Sequence, residues 1–236
     1  MSYVCILFTI GLIILIHETG HFAAARLTGI PIERFSVGFG PKLYAHRGKH
    51  TEYLISLIPL GGYVLPATTE ADFYKIPVLR RIVFSLGGPV ANIGCSLLML
   101  AIALIIQQGF SFTAIFVKPP AILSSQAVAI VSALPQLFSR PESISGIVGI
   151  VSQGGKLIGA EPLTLLRFGA FLSLNLAIFN LLPIPALDGG KILLFLLEKI
   201  HPRLVKLHMP LALAGWGLIV LLMIYVTILD VQKLLA

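Results

Sequence analysis

Residues 13–26 read IILIHETGHFAAAR, two histidines and a glutamate set into the end of an unbroken apolar run. The pattern is H-E-x-x-H, with His17 and His21 four residues apart and Glu18 next to the first. On a helix, positions i and i+4 lie on one face about one turn apart, so both imidazoles can meet a single zinc ion. Glu18 can then reach a water at that ion as general base. Ionisable groups inside an apolar span are costly, and spans that carry them generally carry function. The run itself, Val4–Leu27, is long enough to cross a bilayer, which takes about 20 residues.

The rest of the chain is equally apolar. Of 236 residues, 57% are hydrophobic and 11% charged, against about 25% charged in soluble domains; the mean hydropathy is +0.96. Three further stretches, Ile82–Gln107, Leu163–Leu182 and Leu207–Leu229, have the length and composition of membrane spans. The sequence therefore predicts an all-α polytopic membrane protein with four transmembrane helices, organised as a single domain over residues 1–236. Of the 17 basic residues, eight fall between the first and second spans and four between the third and fourth. The other five lie on the opposite side, so the positive-inside rule places both termini outside. The net charge of +7 thus reads as topology. No aromatic-basic motif accompanies it, so nucleic acid is not an expected partner. Cys5 and Cys95 sit in separate spans and are expected to be small buried side chains without a disulfide. The N-terminus has no basic n-region and no small-residue cleavage site, and reads as a retained span.

Between the first two spans, residues 30–46 and 51–67 are short, Gly/Pro-punctuated and rich in β-branched and aromatic residues. They predict a small membrane-associated β-hairpin or sheet with its turn near Gly48, dipping into the bilayer on the cytoplasmic side. An open edge there could accept an extended substrate as an added strand. Gly61 and Gly62, in IPLGGYV, would permit close backbone approach and are candidate substrate-binding residues. In GGPVANIG, Asn92 is expected to hydrogen-bond inside the bundle. Residues 121–138 read as an amphipathic helix on the outer surface, and residues 145–162 lead into the third span.

Catalytic zinc needs a third protein ligand and an open position. His46, His50, His201 and His208 lie in basic loops or at interfacial positions and are expected to be mostly solvated. Asp188 is the better candidate. Pro183 and Pro185 must interrupt the third span just before it, and Gly189 and Gly190 allow a tight turn after it. The competing reading of Asp188 is a helix N-cap for the segment that follows. On the expected topology both motifs approach the cytoplasmic side, which favours one shared site.

HETGHF, FSVGFGPKL, ISLIPLGGYV, GGPVAN and LSLNLAIFNLLPIPALDGG together resemble the site-2 protease family of intramembrane zinc metalloproteases, most nearly its bacterial regulator-of-sigma-E branch. The resemblance covers nearly the whole chain. It implies that His17, His21 and Asp188 bind one zinc ion and that Glu18 is the catalytic base. It further implies that Asn175 and Asn180 hold substrate, although interhelical hydrogen bonding is an equally good reading of these two from the residues alone. Members of that branch usually carry one or two PDZ domains between the second and third spans, and the interval here is too short for one. The implied activity is hydrolysis of peptide bonds in or near the span of a single-span membrane protein, trimmed first by another protease, in the bacterial inner membrane. A metal-binding transporter or carrier is the alternative. It has little use for a base beside the ligands, and the sequence shows no inverted repeat.

Overall fold

The computed structural model describes residues 2–135, 146, 149–152 and 161–235. Helix α1 (Ser2–Thr28) is the expected first span. It stops at Gly29, whose φ of 70° reverses the chain. There Ile30 N–H donates to Ala25 O and Gly29 N–H to Arg26 O, the paired bonds of a glycine-terminated helix end.

The hairpin follows. Strands β1 (Ile32–Arg47) and β2 (Glu52–Pro66) form the expected antiparallel pair, its turn closed by Gly48 N–H donating to Thr51 O at 2.9 Å. The strands bend, so pairing changes along them. Residues 42–47 of β1 pair with 52–56, whereas 32–37 pair with 62–66 and also lie beside 52–55. Gly38 and Gly40, at φ of 90° and 86°, supply the bend. The last stretch of β2, residues 62–66, is left as an edge of the sheet.

A short helix α2 (Glu70–Lys75) leads into α3 (Val78–Gln108), which packs against α1 and is the centre of the bundle. Gly20 on α1 and Gly87 on α3 bring the two backbones together, since a Cβ on either would collide with the other's carbonyl. After a π turn (Thr113–Val117) comes α4 (Lys118–Ala133). Helix α5 (Pro162–Asn180) packs on α3 through small polar residues: Ser96 Oγ donates to Ala170 O at 2.8 Å, and Ser173 Oγ to Asn92 O at 2.9 Å. The prolines break α5, and α6 (Asp188–Ile200) and α7 (His208–Leu235) complete the chain.

Five helices among the described residues are long and apolar enough to cross a membrane, one more than the four expected. The additional one is Thr113–Ala133, which overlaps the segment read as an outer-surface amphipathic helix. Lys118 Nζ bonds Gln108, and Ala129 to Leu134 share a cleft with Phe171, Asn175 and Phe179. The last turns of α4 therefore pack against α5. The end of that amphipathic segment and most of the lead-in to α5 lie outside the described residues. Two burial expectations also change. Cys5 is exposed on the apolar surface of α1, while Cys95 is buried. His208, expected to be solvated, is 4% exposed, with its ring 4.9 Å from Tyr74 and 5.6 Å from Phe195. The two rings come from different elements, Tyr74 far away in sequence and Phe195 on the preceding helix, so the histidine alone did not reveal its burial.

Candidate metal centre

Histidine spacing on α1 places the imidazoles of His17 and His21 on the face turned to α3. Both residues are buried, as is Asp188 at the start of α6. The nitrogen atoms His17 Nε2 and His21 Nε2 are 3.1 Å apart, and each lies 3.2 Å from Asp188 Oδ2. Zinc–ligand bonds of about 2.0–2.1 Å at tetrahedral angles put donors about 3.3 Å apart, so this triangle fits one zinc ion with a fourth position open. Asp188 is not acting as the cap: the N-cap residue of α6 is Leu187, and the carboxylate turns to the histidines.

Glycines make room for this arrangement. A Cβ on Gly88 would lie 2.5 Å from His21 Nε2 and 2.6 Å from His17 Nε2. Gly189 and Gly190 serve less as a turn than as a seat: the carbonyls of Leu181, Leu182 and Ile184 lie where their side chains would be. The broken segment 181–187 thus folds tightly over the start of α6 and fixes Asp188 in depth.

Each of the three candidate ligands has a neighbouring partner. His21 Nδ1–H donates to Phe84 O at 2.8 Å, which leaves Nε2 with its lone pair toward the triangle. Asn92 Nδ2 lies 3.1 Å from His17 Nδ1, and the fully buried Asn92 Oδ1 has no hydrogen-bond partner among the described residues. Coordination through Nε2 requires the Nδ1–H tautomer, and an amide oxygen is the group that accepts from it; the two ends of an amide are nearly isosteric. Lys191 Nζ lies 3.2 Å from Asp188 Oδ1. Burial disfavours charge on Asp188, but the two imidazoles and the Lys191 ammonium hold its carboxyl below the usual carboxylate range.

The donors open onto a cavity of about 320 Å³ that Glu18, Gly62, Asn180 and Trp216 also line. Gly62 is there because nothing larger fits: a Cβ would lie 2.8 Å from Glu18 Cγ. Of the other expected substrate residues, Asn180 Nδ2 donates to Leu176 O at the cavity rim. Asn175 instead lines the cleft between α4 and α5. Gly61 abuts the Phe39 ring and does not border the cavity. Gly88, Lys191 and Trp216 were not singled out from sequence. Only Gly88 carried a signal, in the odd GGP at the head of a span.

A family model described as Peptidase family M50 matches residues 5–224. The chain is 26% identical to a protein of Clostridium acetobutylicum named as a zinc metalloprotease, aligned over 321 residues that cover 94% of each. A Synechocystis protein with the same description is 27% identical, covering 94% of this chain and 92% of its own. Protease RseP of Yersinia pestis is 39% identical over 102 residues, which cover 39% of this chain and 23% of that protein.

Proposed function

Because the chain belongs to peptidase family M50 and is an intramembrane zinc metalloprotease, we propose that His17, His21 and Asp188 hold its zinc and that Glu18 is its general base. The observation that carries this assignment is the triangle of donor atoms, with sides of 3.1 and 3.2 Å, formed by residues from opposite ends of the chain. When bound, zinc supplies Lewis acidity toward the scissile carbonyl. Glu18, in the same cavity, takes a proton from the attacking water and passes it to the leaving amine. Asn92 and the Phe84 carbonyl orient the two imidazoles. The metal-carrier alternative finds no support in the family or its relatives.

We further propose that the substrate is a single-span membrane protein, held unwound against residues 62–66 and Asn180, with Asn175 acting in the cleft beside α4. A helix hides its peptide bonds in internal hydrogen bonds, and a freed backbone at this depth needs partners that a sheet edge provides. Gly61 serves this edge indirectly, by seating Phe39 beneath it. The orientation takes α1, α3, α5 and α7 as the four crossings, with α4 not counted as one, and follows the basic residues: both termini outside and the metal centre toward the cytoplasm of a bacterial inner membrane. The chain works as one protease domain with no PDZ domain. In support, the alignment to the Clostridium protein runs over 321 residues, more than the 236 of this chain, so that relative carries residues with no counterpart here. Another protease trims the substrate before it reaches this site.

The test is zinc content together with cleavage in purified protein. Asp188→Ala should lose zinc. Glu18→Gln should keep zinc and fold yet lose about 10²–10⁴-fold in rate, the usual worth of a general base. Cleavage by Glu18→Gln near the wild-type rate overturns the mechanism, and full zinc in Asp188→Ala overturns the ligand assignment.

A further inference from the structure

A second cavity, of about 430 Å³, opens beside the one that holds the donors, and Val64, Phe84 and Lys191 line both. The two are consecutive stretches of one groove. Along one wall runs the edge of β2, with Gly62 and Tyr63 at the first cavity and Leu65 and Pro66 at the second. The facing wall is α7, whose Trp216 and Ile219 border the first cavity and whose Met209 and Ala212 border the second. Those four positions are spaced i, i+3, i+7 and i+10 and form one helix face. Four strand residues span about 13 Å and ten helical residues about 15 Å, so the walls match in length. Gly215 seats α7 against the broken segment before α6, since a Cβ there would lie 2.9 Å from the Pro185 carbonyl carbon.

The second cavity is lined by rings. Phe73, Tyr74, Phe195 and His208 close over the buried Arg81, whose guanidinium makes two bonds to Glu198, at 2.7 and 2.8 Å. Its carbon lies 4.6 Å from the Phe195 ring centroid and 5.4 Å from that of Tyr74. Beneath the apolar surface the charge is therefore neutralised.

We propose that this cavity is a subsite for one bulky apolar side chain, aromatic or branched aliphatic, of an extended substrate strand lying along residues 62–66. The proposal rests on the protease reading above. Gly62 stands against Glu18 and the second cavity runs from Val64 to Pro66, two to four strand residues further on, so the recognised residue lies about three or four positions from the scissile bond, at about 3.3 Å per residue. Pro66 has no N–H, and strand pairing ends beside it. The subsite is then the last fixed point of the bound segment and sets which bond reaches the metal.

The experiment uses the full-length zinc-loaded enzyme in lipid and single-span substrates with an alanine-rich window. A lone Phe is moved through about six positions on either side of the cleaved bond. One position, about three or four residues away on one side only, should raise kcat/KM at least about tenfold over the all-alanine window. Ala212→Phe, which fills the cavity, should bring that Phe-to-Ala ratio near one. Met209→Ala, which widens its mouth, should shift the optimum from Phe to Trp and serves should the filled variant misfold. A flat scan by a wild-type enzyme that cleaves the all-alanine reference overturns the subsite and leaves the protease reading standing. A gain that survives Ala212→Phe in zinc-loaded protein overturns it as well. No cleavage of any substrate by zinc-loaded wild type overturns the protease reading itself.

Discussion

Gly20 and Gly87 meet backbone to backbone at the crossing of α1 and α3, with no room for a methyl group on either. The contact sits between the two histidines in sequence and one residue from Gly88, whose missing side chain leaves space for both imidazoles. Helix packing and the proposed metal geometry are thus one constraint. Gly20→Val or Gly87→Val should cost about 1–3 kcal/mol of stability from overpacking. Because the helices must separate, each should also release zinc, read as a lower Tm together with reduced metal content. A lowered Tm with full zinc occupancy would uncouple the two.

Asn92 should act on the metal through His17. Asn92→Ala is expected to weaken zinc affinity about 10–100-fold, the usual effect of removing a partner that orients a ligand. Asn92→Asp keeps an acceptor oxygen facing Nδ1 and should bind zinc more tightly than the alanine variant. Competition with a chelator measures the order; alanine binding as well as aspartate would mean that the amide only fills space.

Asn180→Ala should weaken cleavage strongly, by about tenfold or more, with zinc content intact. The defect should shrink for substrates whose spans are already loosened by Gly or Pro, because less unwinding remains to be stabilised. Asn175→Ala, away from the donor cavity, should do less to the chemical step and more to KM. Equal defects of Asn180→Ala on stiff and loosened substrates would argue against unwinding as the step it serves.

A reporter fused after Lys49 should score cytoplasmic, and one near Lys118 external, as the basic asymmetry requires. Lys118 is tied to Gln108 at the far end of α3 from the metal centre, which makes it a sensitive position to probe. The reverse pattern would undo the orientation.

The candidate metal centre was legible because its residues sit in local patterns: H-E-x-x-H in one turn, and a carboxylate after two prolines. The hairpin was legible from its turn and its strand-forming composition. What escaped depended on distant partners. Nothing around His208 announces Tyr74 and Phe195, and nothing in FVKPPAILSSQ distinguishes a helix lying on a membrane from one packed along α5. Asn92 was expected to hydrogen-bond, but the identity of its partner required the α1–α3 crossing that two glycines create. The doubled bend of β1, which turns a plain hairpin into a sheet with residues 62–66 at its edge, rests on positive φ at Gly38 and Gly40, a feature composition does not disclose.

The donors come from the first and last parts of the chain, and that has a consequence for synthesis. His17 and His21 enter the bilayer with the first helix, while Asp188 follows the fourth long helix of the five. With the proposed ligand set, a growing chain holds two imidazoles and no third donor until Asp188 has been translated and inserted. On that assignment hydrolytic capacity would arrive late and all at once, so a nascent copy passing through the insertion machinery would not cut its neighbours, and a copy truncated before Asp188 would be inert.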